Sequence, residues 1–107
     1  MKKFFVVKNE QHSLLPEQER ILLDKFKRFE FINIPANGLT AEQIKELYNK
    51  HIDDTIIFLS PIPLFLKYRY ENVNCETYLF HNDKREKKEL PNGRVIMTVA
   101  KTGWKLY

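Results

Sequence analysis

A chain of 107 residues has room for one domain with a single hydrophobic core. Hydrophobic residues make up 43% of it and charged residues 30%, as in ordinary globular proteins, and its longest apolar runs are far shorter than the ~20 residues of a membrane-spanning helix, so we expect no membrane partner. The net charge of +4 favours anionic partners only mildly, because most basic residues are interleaved with acids.

The first third of the chain predicts a strand, a helix and a second strand. The run KKFFVVKN, residues 2–9, is aromatic and β-branched between charged ends, which is typical of a strand. The run HSLLPEQERILLDKF then predicts a helix with Pro16 in its first turn, where the missing N–H has no helical partner to lose. The run FEFINIP alternates enough to predict a second strand, which ends at Pro35.

The middle of the chain carries the clearest local signal. Residues Thr40 to Gln43 read TAEQ, which fits a capping box at the start of a helix, and an apolar face follows at three- and four-residue spacing: Ile44, Leu47, Tyr48 and Ile52. The next run, Thr55 to Leu59, has no polar alternation. A strand of this kind is buried on both faces, so we predict a central parallel strand covered by helices.

The last third is richer in β-type residues. We predict a short helix from near Pro63, preceded by Ser60 or Ile62, and then a fourth strand in ETYLFHN, residues 76–82. The run NDKREKKEL, residues 82–90, holds seven charges in nine residues and predicts an exposed, mobile loop. Asn92-Gly93 predicts a hairpin or sharp turn, and TGWKLY a final edge strand.

Strands that alternate with helices predict a parallel sheet with right-handed crossovers. The sequence therefore predicts an α/β fold: a single domain over residues 1–107, built as a small Rossmann-like three-layer sandwich. Its sheet should be mainly parallel, with an antiparallel β-rich C-terminal tail.

Polar residues follow each predicted strand of this sheet. In open α/β sheets, ligands bind outside the carboxyl ends of the strands, so these residues predict an anion or nucleotide pocket. The candidate ligand-binding residues are Lys8, Asn9, Asn37, Gly38, Ser60, His81 and Asn82, and the candidate catalytic residues are His12 and Ser60.

Structural roles compete with each of these assignments. Asn37-Gly38 is also a common turn dipeptide, and Ser60 is also a good helix N-cap. His12 and His81 are also compatible with solvated loop positions. Sequence alone leaves both interpretations open at every position.

Several chemistries are excluded by what the sequence lacks. None of the three glycines lies in a GxGxxG or Walker arrangement, which excludes a dinucleotide-dependent oxidoreductase and a P-loop NTPase. Cys75 is the only cysteine, so the chain forms no internal disulfide, and we expect a cytoplasmic location. The histidines are scattered without ligand spacing, and we therefore expect neither a metal nor a cofactor.

Three runs together resemble a known family: FFVVKN, a helix that begins LLPEQ, and DDTIIFLSPIPLFL. Over the first two thirds of the chain they resemble the small CRISPR-associated proteins with a CARF-like core, some of which are ring nucleases of antiviral defence. This resemblance implies a homodimer that binds cyclic oligoadenylate or another nucleotide across its two-fold axis. It also implies metal-independent cleavage, in which a ribose 2′-hydroxyl attacks the adjacent phosphodiester. Ser60 would then donate to phosphate or ribose, with Asn9 and His12 in the first-strand loop.

Two other functions fit the sequence as well. One is a basic nucleic-acid-binding module that uses the residues Lys84, Arg85, Lys87, Lys88, Arg94 and Lys101. The other is a non-catalytic interaction protein, in which the aromatic C-terminus contacts a partner.

Overall fold

The computed structural model describes residues 3–107 as seven strands and three helices. Lys2, the first residue of the predicted first strand, lies outside the described residues. The elements in chain order are β1 Phe4–Asn9, α1 Pro16–Phe26, β2 Glu30–Ile34, α2 Ala41–Lys50, β3 Thr55–Phe58, α3 Pro63–Glu71, β4 Thr77–His81, β5 Arg85–Glu89, β6 Val95–Val99 and β7 Lys105–Leu106. Within residues 3–107, no helix has the length and apolar character needed to cross a bilayer.

Five of the strands form one mixed, mainly parallel sheet in the order β2-β1-β3-β4-β7. Strands β1 to β4 run parallel to their neighbours, and β7 pairs antiparallel with β4. Strands β5 and β6 form a separate antiparallel hairpin. The predicted α/β class, the parallel core and the antiparallel tail are confirmed at this level.

Helices pack on both faces of the sheet because β1 and β3 have apolar side chains on both sides. On one face, Val7 and Phe58 lie in a cluster with Ile44 of α2 and Phe65 of α3. On the other face, the core residues come from three strands and α1: Val6, Leu22, Phe26, Ile57 and Phe80. All four residues of β3 are buried, as its unbroken apolar run predicts.

The capping box at the start of α2 is confirmed. Thr40 Oγ1 accepts a hydrogen bond from the Gln43 N–H at 3.2 Å, and Gln43 Oε1 accepts one from the Thr40 N–H at 2.8 Å. Each bond satisfies a backbone donor that has no partner inside the helix. The residue at which α2 begins is therefore fixed by four consecutive residues.

Arg69 of α3 is fully buried and joins the amino ends of β3 and β4. Its Nε donates to Thr77 Oγ1 at 3.0 Å, and its Nη1 donates to the His51 carbonyl at 2.9 Å. Its Nη2 donates to the carbonyls of Asp54 at 2.9 Å and Glu76 at 2.7 Å. Burial disfavours the charged form and lowers the pKa of Arg69, while the four bonds compensate the guanidinium for the water it has lost.

The predicted mobile loop over residues 82–90 is wrong in its secondary structure. Residues Arg85–Glu89 form β5, which pairs with β6 through the turn at Asn92-Gly93. Gly93 has φ 82°, a conformation that glycine adopts without strain. Every residue of β5 is exposed, as the charge pattern predicts, because the hairpin pairs with no strand of the main sheet.

Candidate functional site

The candidate site lies where β1 and β3 end side by side. Their parallel pairing runs from Phe4↔Thr55 to Val7↔Phe58, so the residues that follow both strands meet at one edge. The chain crosses from β1 to β2 on one side of this pair and from β3 to β4 on the other. A reversal of this kind leaves a crevice between the two strand ends, where ligands of α/β sheets commonly bind.

Ser60 joins the two strand ends. Its Oγ accepts a hydrogen bond from the Asn9 N–H at 3.0 Å and lies 2.7 Å from His12 Nδ1. The residue is only 6% exposed. The N-cap of α3 is Ile62, two residues later, so the alternative in which Ser60 caps this helix is wrong. The hydroxyl instead holds the β1 loop against the end of β3.

The loop after β1 is folded so that the His12 ring reaches Ser60. Asn9 Oδ1 accepts from the Gln11 N–H at 3.0 Å, and the Asn9 carbonyl accepts from the His12 N–H at 2.9 Å. Lys8 Nζ donates to the His12 carbonyl at 3.1 Å. His12 itself is exposed, so its ring bonds the protein on one side and meets solvent on the other.

A pocket of about 520 Å³ opens beside this loop. Its lining is mainly apolar, from Leu15, Leu59, Pro61, Val99 and Trp104, and the polar lining residues are Gln11, His12, Ser13 and Gln18. The Trp104 ring packs edge-on against Phe80, with ring centroids 6.3 Å apart. Its buried Nε1–H has no hydrogen-bond acceptor among residues 3–107. Buried indole N–H groups normally have a partner, so this donor is an exception among the described residues.

The charges around the pocket are unevenly distributed. Glu17 lies in the first turn of α1, and its Oε1 accepts from the Trp104 N–H at 2.7 Å. A carboxylate therefore already occupies the anion-attracting end of α1. The first turn of α3 holds no acidic residue and has no side-chain cap. An anionic ligand would consequently be favoured towards the first turn of α3 and disfavoured beside α1.

Three predicted site residues, Asn37, Gly38 and His81, lie apart from Ser60. Among residues 3–107, no hydrogen bond joins any of them to Ser60 or to its two partners. Asn37-Gly38 forms a turn in which the Gly38 N–H donates to the Pro35 carbonyl at 2.9 Å. His81 is exposed at the end of β4, with its ring 6.2 Å from that of Tyr107. Neither Asn37 nor His81 lines the pocket.

Asn82 is engaged inside the protein. Its Nδ2 donates to the carbonyls of Ala100 at 3.0 Å and Thr102 at 2.9 Å, and its Oδ1 accepts from the Lys84 N–H at 2.9 Å. The residue is 4% exposed. Both amide donors are used, so Asn82 holds the base of the β5–β6 hairpin in place of binding a ligand.

A larger depression of about 830 Å³ lies at the other end of the sheet. Its lining includes Phe4, Leu23 and Phe29 together with the basic residues Lys27 and Arg28. Within residues 3–107, its lining includes no histidine, serine, threonine or cysteine. The pocket beside His12 is therefore the better candidate for chemistry. No group of three or more potential metal ligands occurs among the same residues.

Comparison with known proteins adds no further identification of this site. No family model, curated protein or solved structure matches the chain. The function is therefore argued from the site itself. Sequence reasoning missed Trp104 and Val99 as pocket residues, because both lie more than 80 residues from His12 along the chain and no local pattern connects them.

Proposed function

We propose that this chain binds a nucleotide at the carboxyl edge of a Rossmann-like sheet, between the ends of β1 and β3. The observation that carries the proposal is the cluster of the Asn9 N–H, Ser60 Oγ and His12 Nδ1 beside a largely apolar pocket. Its volume of about 520 Å³ is in the range of small-molecule pockets, which combine apolar walls with a few fixed polar groups.

The two sides of the pocket suit the two halves of a nucleotide. Trp104 and Leu59 supply an apolar wall for a base. The phosphate lies beside His12 and Pro61, towards the uncapped first turn of α3. Glu17 disfavours the reverse orientation by repelling phosphate from α1.

Cyclic oligoadenylate is the nucleotide implied by the family resemblance, with a homodimer that presents two equivalent sites to a two-fold-symmetric ring. In the reaction, a ribose 2′-oxygen attacks the adjacent phosphorus and the P–O5′ bond breaks. When His12 Nδ1–H donates to Ser60 Oγ, the lone pair on Nε2 accepts the 2′-hydroxyl proton. Water protonates the leaving 5′-oxygen, and the products are a 2′,3′-cyclic phosphate and a 5′-hydroxyl.

Binding can be followed directly because Trp104 is the only tryptophan in the chain. We expect cyclic or linear oligoadenylates to change its fluorescence with saturation, and calorimetry to give the same dissociation constant. His12→Ala should weaken binding about tenfold, because it removes one hydrogen bond and one face of the pocket. Cleavage should continue in the presence of EDTA, with 2′,3′-cyclic phosphate detected by chromatography.

His81→Ala is the matched control, because it removes an equally exposed histidine outside the pocket. This variant should bind like the wild type. The proposal is wrong if no nucleotide gives a saturable response in either assay, or if the two histidine variants lose affinity equally.

A further inference from the structure

The whole net charge of the chain is carried by the hairpin and its two flanking lysines. Residues 84–101 contain six basic and two acidic side chains, a net charge of +4, which equals the net charge of the full chain. The remaining residues are therefore neutral in sum. The charged segment is also the part that stands outside the five-stranded sheet.

The hairpin is a two-stranded ribbon with exposed edges and faces. The Ala100 N–H donates to the Lys84 carbonyl and the Leu90 N–H to the Arg94 carbonyl. Hydrogen-bonded pairs alternate along an antiparallel ladder, so 86↔98 and 88↔96 are also bonded pairs. The backbone groups of alternate residues are then directed outward, at positions 85, 87, 89, 95, 97 and 99.

One face of this ribbon combines two basic side chains and one acidic one with three apolar side chains. Cross-strand partners share a face, and the pairs on this one are Arg85 with Val99, Lys87 with Met97, and Glu89 with Val95. Val95, Met97 and Val99 are 59%, 57% and 47% exposed. A ribbon that keeps three apolar side chains in water beside basic ones has the composition of a surface that contacts a partner.

We propose that the β5–β6 ribbon binds double-stranded DNA in the major groove. The charge of the ribbon is complementary to phosphate, and displaced counterions would drive association. The major groove of B-form DNA admits a two-stranded β-ribbon, and apolar side chains on its surface contact thymine methyl groups. The net charge also opposes pairing of the ribbon with a second copy of itself.

The same features discriminate between kinds of nucleic acid. The ribbon, residues 85–99, contains no aromatic residue on which unpaired bases could stack, so single strands are disfavoured. The major groove of an RNA duplex is too deep and narrow for protein side chains to read. Asn82 holds the base of the ribbon, where its side chain bonds both Lys84 and Ala100.

The proposal is tested by fluorescence anisotropy with a labelled 20-base-pair DNA duplex between 50 and 200 mM salt. The ribbon variant, Lys87→Gln/Arg94→Gln, removes one lysine and one arginine from exposed positions. The control, Arg20→Gln/Lys50→Gln, removes the same two residue types from exposed positions in the helices. The slope of log affinity against log salt should fall by about 2 in the ribbon variant and not in the control. Affinity should fall about tenfold in the ribbon variant alone.

Circular dichroism confirms that each variant is folded, and Lys88→Gln serves as a second ribbon variant. The proposal is overturned if both double variants lose the same affinity for duplex DNA, or if the wild type does not bind duplex DNA at 50 mM salt. Equal affinity for an RNA duplex of the same sequence would show that the ribbon does not enter the major groove of DNA. A wild-type dimer that Met97→Asp separates, without DNA binding, shows that a second copy covers the ribbon instead. None of the substituted residues lines the Trp104 pocket, so nucleotide binding reported by Trp104 is measured separately, although Val99 belongs to both surfaces.

Discussion

Replacing Ser60 with alanine tests the contact on which the candidate site depends. The side chain is 6% exposed and its Oγ has two partners, the Asn9 N–H at 3.0 Å and His12 Nδ1 at 2.7 Å. Alanine removes both bonds and leaves the partly buried Asn9 N–H without its acceptor. An unpaired buried donor costs about 1–3 kcal/mol, and the bond to exposed His12 contributes less, because water can replace it.

We therefore expect Ser60→Ala to lower the free energy of unfolding by about 1–2 kcal/mol, which corresponds to a thermal midpoint lower by about 4–12 °C in a domain of this size. Ser60→Gly should be at least as destabilising, because it lacks the same hydroxyl and adds backbone freedom. A helix cap would give the opposite order, since glycine caps helices nearly as well as serine.

The assay is urea unfolding followed by circular dichroism, with Trp104 fluorescence as a second probe. Ser13→Ala, an exposed serine that lines the same pocket, is the control and should change stability by less than about 0.5 kcal/mol. If Ser60→Gly is as stable as the wild type while Ser60→Ala is not, the hydroxyl does not join the strand ends and the reasoning fails. Oligoadenylate affinity should decrease in both Ser60 variants, because His12 loses its support.

Three further predictions concern the rest of the fold. Thr40→Ala should destabilise the protein by about 0.5–2 kcal/mol in urea unfolding, because it removes half of the capping box; an unchanged midpoint would contradict this. Arg69→Met should cost about 2–4 kcal/mol, because three carbonyls and a hydroxyl lose their donor, and a neutral result would show that relief from burying the charge compensates fully. Amide exchange in the hairpin should alternate, with slower exchange at the inward-bonded positions, Glu86, Lys88, Ile96 and Thr98, and uniform exchange would argue against the ribbon.

The order of the elements could be predicted from sequence because the signals that determine it are local. The capping box at Thr40 involves residues three apart, and the turn at Asn92-Gly93 depends on the backbone freedom of two neighbours. The central position of β3 follows from an apolar run, since a strand covered on both faces has no polar side to show. The same local rules failed for residues 82–90, where charge density suggested a loop. Pairing with Val95–Val99 supplied the backbone bonds that made a strand.

The candidate site depended on tertiary structure because its members are distant along the chain. His12 and Ser60 are 48 residues apart, and only the parallel pairing of β1 with β3 makes them neighbours. Sequence placed polar residues at all the strand ends, but it could not show which ends would be adjacent or that Asn82 would use its amide at the hairpin base. Trp104 reaches the pocket through its contacts with Glu17 and Phe80. Such contacts are decided by how helices and strands pack, which no short pattern of residues encodes.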